Sequence, residues 1–249
     1  MDKENFNQEI AIATEAAKEA GNILINKKNK LNSELESSQR DTKLLADIES
    51  ETLIKKILSA KSNYPYLAEE GGKSSNNLGD IFWVIDPLDG TANYSRNIPS
   101  CCISIALIQE MKPVIGVIYD FNTGDLYIGN TINVSASLNG KKITVSRTDS
   151  KSKSILMTGL PLNTNYSDEY LIEMIKDMQT WKKVRMIGSA ALASCYVASG
   201  KADQYKEKGA YFWDVAAGAA IVESAGGRVE IIHTNEDHQV DVIFSNSVL

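Results

Sequence analysis

Apolar positions near the start of the chain recur at alternating steps of four and three: Phe6, Ile10, Ala13, Ala17, Ala20 and Leu24. That spacing puts them on one face of an amphipathic helix, and this face is expected to be core. Lys27, Lys28 and Lys30 follow as solvated charges suited to the negative end of the helix dipole. A polar stretch from Asn32 to Lys43 leads to a second helix, marked by Leu53, Ile54, Ile57 and Leu58. Asp47 sits near its start, where an aspartate is first of all an N-cap, although it can also orient a water.

The period then changes to that of strands. Tyr64 to Ala68 reads as a short strand ending in Glu69-Glu70-Gly71-Gly72, and Ile81 to Ile85 as another. Proline at 87 should stop the second one at Asp86, because it holds the preceding residue extended and removes a ladder donor. The apolar runs Cys101 to Ile108, Pro113 to Tyr119 and Leu126 to Ile128 are separated at hairpin spacings. A further tight turn falls at Leu138-Asn139-Gly140-Lys141, where Asn-Gly favours positive φ. An antiparallel sheet is therefore expected in this first part.

Ser146 to Ser154 contains no apolar residue and is the candidate boundary. Beyond it strand and helix patterns alternate: Ile155 to Thr158, Asp168 to Trp181, Val184 to Ile187, and an alanine-rich helix from Ser189 to Ala198. Asp214 begins a small-residue helix closed by Gly226-Gly227. The expectation is an α+β lobe over 1–146 and an α/β lobe over 147–249.

A chain of 249 residues, 43% hydrophobic and 23% charged, can bury a large core. Its net charge of −6 opposes the neutralisation of many phosphates on a long nucleic acid, but not a small phosphorylated substrate held through a cation. The charged N-terminus and the lack of an apolar stretch near ~20 residues suggest neither signal peptide nor anchor, hence a cytoplasmic location and no membrane partner. Cys101, Cys102 and Cys195 do not have the spacing of a disulfide framework or zinc site and read as buried thiols. His233 and His238 read as residues of a polar surface turn.

The chemistry centres on Asp86-Pro87-Leu88-Asp89-Gly90-Thr91. Asp and Gly after a strand are ordinary turn residues. Two carboxylates about 4 Å apart, however, repel by about 1 kcal/mol in water and ~4 kcal/mol at an effective dielectric of 20, so a turn that gathers them invites a cation. Glu69 and Glu70 are either solvated loop residues or a second set of acids at a strand end, repeating the pattern at Asp86. Asp214, behind Tyr211-Phe212-Trp213, is either a cap or a partly buried acid in need of a cation.

Three segments together carry a resemblance. Trp83 to Tyr94, with Glu69-Glu70-Gly71 before it and Trp213-Asp214 through Gly226-Gly227 after it, resemble the inositol monophosphatase family in order and over nearly the whole chain. The resemblance implies a layered αβαβα sandwich of the inositol monophosphatase and fructose-1,6-bisphosphatase type, combining α+β and α/β lobes, and a homodimer. It implies that Glu69, Asp86, Asp89, Asp214 and the carbonyl of Leu88 hold two or three Mg²⁺ ions. Mn²⁺ would be an alternative, with Li⁺ and Ca²⁺ inhibitory.

By the same likeness Asp89, Gly90 and Thr91 contact phosphate or substrate, while Asp47 and Thr91 orient and deprotonate the attacking water, with Glu69 assisting. Glu207 and Ala190 would meet the organic part of the substrate, although Lys206-Glu207-Lys208 also reads as a solvated charge run. The implied activity is Mg²⁺-dependent hydrolysis of a small phosphorylated metabolite. Inositol monophosphate or a related polyol or sugar phosphate comes first. Fructose 1,6-bisphosphate, histidinol phosphate and 3′-phosphoadenosine 5′-phosphate are alternatives, as is a catalytically idle phosphometabolite-binding protein. Thr91-Ala92-Asn93-Tyr94 differs from the Lys-Glu-Phe usual after that threonine in nucleotide phosphatases. The chain departs from the family pattern at Leu44, where threonine is common, and at Glu36, where lysine is usual.

Overall fold

The structure is a computed structural model that describes residues 6–37, 42–161, 166–233 and 238–249, the side chains of 34–37, 42 and 233 apart. The first helix runs Asn7–Asn26 and buries Ala13, Ala17, Ala20 and Leu24, as the spacing predicts. After a single short helical turn, Lys28–Leu31, the next long helix, Leu45–Lys61, lies beside the first with Ile54 and Leu58 buried. Between them, part of the stretch read only as polar pairs as a two-stranded hairpin, Glu34–Ser37 with Thr42–Leu44. Its composition lacks the apolar alternation by which strands are read.

The first sheet has eight strands in the order Lys141–Lys142, Ser135–Leu138, Asp125–Asn130, Lys112–Asp120, Cys102–Gln109, Ile81–Asp89, Tyr66–Ala68, Gly72–Lys73. Its pairs are antiparallel except Tyr66–Ala68 with Ile81–Asp89. Along Ile81–Asp89, Trp83 and Ile85 pack with the two amino-terminal helices, while Phe82 and Val84 join the core on the other face. Burial on both faces explains why these strands read as continuous apolar runs.

The second sheet has five strands in the order Lys183–Arg185, Ile155–Thr158, Gln204–Tyr211, Gln239–Ser245, Arg228–His233. Helices Ala190–Ala198 and Phe212–Ser224 pack against each other between the two sheets, and both draw residues into one shared core. The helix Asp168–Met178 lies outside, with Lys208 of the strand Gln204–Tyr211 over the Tyr170 ring. The layers are α, β, α, β, α. The division at 146/147 remains a proposal, because Phe212–Ser224 seals the first sheet as well as the second.

Several expected boundaries move. The strand from Ile81 does not end at Asp86 but continues to Asp89, with a break in register between Asp86 and Asp89 that accommodates Pro87. Bulges are among the places where a strand tolerates proline. The outer helix stops at Met178 rather than Trp181, and the strand after it spans Lys183–Arg185. Cys101, Cys102 and Cys195 are buried free thiols. Among the described residues no helix is long and apolar enough to cross a membrane.

Candidate active site

Asp86, Leu88 and Asp89 project from the bulged end of the strand Ile81–Asp89, all three buried. Asp86 accepts the backbone N–H of Leu88 at 3.0 Å, which tightens the turn after Pro87. Gly90 follows with φ of 88°, a left-handed conformation that glycine adopts without steric cost. A Cβ there would also stand 2.7 Å from the carbonyl oxygen of Ser100. The chain thus turns sharply enough for the short helix Thr91–Ser95 to begin at once.

Thr91 joins this turn to the helix Leu45–Lys61. Its hydroxyl lies 2.9 Å from Asp47 Oδ1 and 3.0 Å from the Leu88 carbonyl oxygen, so one proton is shared between two acceptors. Asp47 is not the N-cap expected from its position. It is the third residue of the helix, and its Oδ2 accepts the N–H of Leu44, the true cap, at 2.8 Å. The helix starts earlier, directly after the buried Leu44. Burial pushes the Asp47 carboxyl up to about 7, against the lowering effect of the bonds from Leu44 and Thr91.

Asp214 repeats this device. It lies at the third position of Phe212–Ser224, and its Oδ2 accepts the N–H of Tyr211 at 3.0 Å. Glu69, at the end of Tyr66–Ala68, lies beside Asp86 and close enough to Asp214, Asp47 and Glu70 to feel their charge. Burial, then repulsion among these acids, holds Glu69 and Asp86 well above the usual carboxylate range. Glu70 forms an ion pair with Lys43 of the edge hairpin.

Asp89 meets the other half of the chain. Its Oδ2 accepts from Ser189 Oγ at 2.5 Å and from the N–H of Ala191 at 2.8 Å, and Ala190 N–H contributes as well. Ser189 also caps the helix Ala190–Ala198, accepting the N–H of Leu192. Burial raises Asp89 to about 6, and these donors at a helix N-terminus limit the rise. Cys102 Sγ stands 3.7 Å from the same oxygen. Ala190 is buried at this junction.

Glu207 is half-buried on the strand Gln204–Tyr211 and is pushed up to about 7 by the protein around it. Tyr205 faces it without the geometry of a full hydrogen bond. It is therefore not a freely solvated charge. Glu36 has its backbone in the edge hairpin, and its side chain lies outside the described residues. His238 is exposed, its ring 5.8 Å from that of Trp213, and the His233 side chain falls outside the described residues.

Sequence reasoning missed several residues that hold the site together. Asn93 Nδ2 donates to the carbonyls of Ser100 at 2.7 Å, Ile187 at 2.8 Å and Gly188 at 3.1 Å, tying the short helix to the loop before Ser189. Ser50 Oγ donates to the carbonyl of Pro87 at 2.8 Å, inside the bulge. Ser189 was legible only as the start of a helix, which is itself the signature of a capping serine.

Among the described residues, no three acidic, cysteine or histidine side chains converge closely enough to form a finished cation shell. The donor chemistry still fits a hard divalent cation. Carboxylates and a backbone carbonyl offer oxygen alone, and the ionisation that burial and repulsion oppose is what a positive charge would restore.

The profile of the inositol monophosphatase family matches residues 6–247. The chain belongs to the inositol monophosphatase family. A relative from Xylella fastidiosa, Nus factor SuhB, is 38% identical over 224 residues, covering 88% of this chain and 80% of the relative. Inositol-1-monophosphatase from a Synechocystis species is 36% identical over 229 residues, covering 88% and 77%. The solved inositol monophosphatase from Anabaena superposes with a TM-score of 0.85 at 34% identity, covering 98% of this chain and 92% of its own. The family's layered fold and the one described above agree.

Proposed function

We propose that this member of the family hydrolyses a small phosphate monoester with Mg²⁺ as cofactor, its substrate being inositol monophosphate or a related polyol or sugar phosphate. The observation that carries this conclusion is the link from Asp47 through the Thr91 hydroxyl to the Leu88 carbonyl. With the Asp47 carboxyl raised to about 7 and one hydroxyl away from the acidic turn, this link supports reading Asp47 as a general base working near neutral pH.

Glu69, Asp86, Asp89, Asp214 and the Leu88 carbonyl would hold two or three Mg²⁺ ions, with Mn²⁺ able to replace them and Li⁺ and Ca²⁺ inhibitory. When bound, Mg²⁺ supplies the positive charge that offsets the phosphate dianion and the departing alkoxide and makes a water more acidic. Thr91 and Glu69 orient the attacking water, and its proton passes through Thr91 to Asp47. The water oxygen bonds to phosphorus as the bond to the alcohol oxygen breaks, and the alkoxide takes its proton from solvent. The Gly90 and Thr91 backbone faces the phosphate, while Ala190 and Glu207 face the ring, where a half-buried carboxylate suits hydroxyl donors. The active form is taken to be a cytoplasmic homodimer, on family likeness.

A second reading is favoured by the name Nus factor SuhB, carried by relatives such as the Xylella protein, which does not describe a hydrolase. In it, the acid set binds a phosphometabolite without turnover. Phosphate release from inositol 1-phosphate, fructose 1,6-bisphosphate, histidinol phosphate and 3′-phosphoadenosine 5′-phosphate separates these. The expected result is turnover with kcat/KM highest for a polyol or sugar phosphate, reduced in Glu207→Gln. No turnover of any of the four contradicts the phosphatase. A preference for the nucleotide defeats the polyol assignment, and an unchanged Glu207→Gln enzyme removes Glu207 from the site.

A further inference from the structure

The helix Leu45–Lys61 turns three buried polar side chains toward the site: Asp47, Ser50 and Glu51, exposed by 1%, 0% and 2%. Their i, i+3, i+4 spacing puts them on one face. Each holds a different segment. Asp47 holds Thr91, Ser50 holds Pro87, and Glu51 Oε2 accepts the backbone N–H of Glu70 at 2.8 Å. The other oxygen of Glu51 accepts from Lys55 Nζ at 2.8 Å, one turn further along the helix.

Glu69 lies between two pinned peptides. Its own N–H donates to the carbonyl of Ile85 at 3.1 Å, in line with the sheet. The next N–H, on Glu70, donates to Glu51. The first bond fixes the peptide before the Glu69 Cα and the second fixes the peptide after it, so the direction of its Cα–Cβ bond is set by both. One anchor is the sheet and the other is Glu51. Gly71 leaves room for this contact, since a Cβ there would stand 2.8 Å from Glu51 Oε1 and 2.6 Å from Lys55 Nζ.

We propose that Glu51 is a positioning residue that aims the Glu69 carboxylate into the acidic cluster through the Glu70 peptide. It rests on the assignment of Glu69 as a Mg²⁺ ligand, and it adds a residue that touches neither metal nor substrate. The test is Mg²⁺ binding by titration calorimetry with inorganic phosphate present, alongside the melting temperature and kcat. Glu51→Ala is expected to lose about 10–100-fold in Mg²⁺ affinity, the usual effect of removing a residue that orients a ligand. Its kcat at saturating Mg²⁺ should fall less. Glu51→Gln keeps an oxygen for the Glu70 N–H and should recover most of the affinity.

A folded Glu51→Ala protein with wild-type affinity overturns the proposal, as does a Glu51→Gln protein as weak as Glu51→Ala. If Glu51→Ala does not fold, Glu51→Asp carries the test, because a side chain one methylene shorter draws its carboxylate back from the Glu70 N–H. Reduced affinity there supports the proposal and unchanged affinity overturns it. A wild-type protein that takes up no Mg²⁺ with phosphate present instead overturns the assignment of the metal site itself.

Discussion

Asp47 shows how burial and hydrogen bonding compete at a single carboxyl: burial wins, and the group sits at about 7. Asp89 at about 6 and Glu207 at about 7 are raised by the same cause. Each releases its proton near pH 4 in the unfolded chain, at about 4 by ordinary reference values. Between about pH 4 and 7 the folded state therefore binds more protons than the unfolded one, and stability from these groups falls as pH rises. With divalent cations chelated, the melting temperature should drop as pH is raised from 5 to 8, and Asp47→Asn should make that drop shallower. A flat or rising profile in the chelated wild type contradicts these shifted values. The identity of these acids was legible in the sequence, because carboxylates at strand ends and helix starts form a countable pattern. Their environments were not. Nothing near Asp89 in sequence announces Ser189, its partner at 2.5 Å from a hundred positions away.

Among the elements, those that bury a regular apolar face were readable, and those set by one long-range contact were not. Asn7–Asn26 follows its 3.6-residue period, whereas the hairpin Glu34–Ser37 with Thr42–Leu44 has none to follow. The strand Ile81–Asp89 outruns the expected stop at Asp86 because the sheet resumes pairing at Asp89 with Cys102 beyond the bulge. The central helix Phe212–Ser224 depends on close approach rather than on large side chains. A Cβ on Gly116 of the first sheet would stand 2.1 Å from the carbonyl oxygen of Ala217 in that helix, a backbone atom that cannot swing aside. Gly116→Ala should cost about 1–3 kcal/mol or more of stability through overpacking. A urea midpoint equal to that of the wild type would show that helix and sheet are not held this tightly. Because Asp214 rides on this helix, the same variant should also weaken Mg²⁺ binding.

Across the whole molecule, the candidate site draws on both sheets and the helices packed on them: Asp47, Glu69, the pair Asp86 and Asp89, and Asp214 come from four separate segments. Folding therefore concentrates negative charge at a cost that a divalent cation would offset. Mg²⁺ should raise the melting temperature by mass action, most strongly with phosphate present, since Mg²⁺ held by few carboxylates retains several waters. An unchanged melting temperature at saturating Mg²⁺ and phosphate would count against the acid set as a cation site. The change from one sheet, ending at Lys142, to the other, beginning at Ile155, was visible because the apolar periodicity changes near residue 150. The sharing of one core by both sheets was not, since that depends on which faces the helix Phe212–Ser224 covers. The most direct measurement is phosphate release from inositol 1-phosphate by the wild type and by Asp214→Asn, each with Mg²⁺ and with chelator. Asp214 comes from the half of the chain opposite the acidic turn, so this variant tests the assembled site. The expected result is release that disappears on chelation and falls by orders of magnitude in Asp214→Asn. Release that survives chelation, or a fully active Asp214→Asn enzyme, would contradict it.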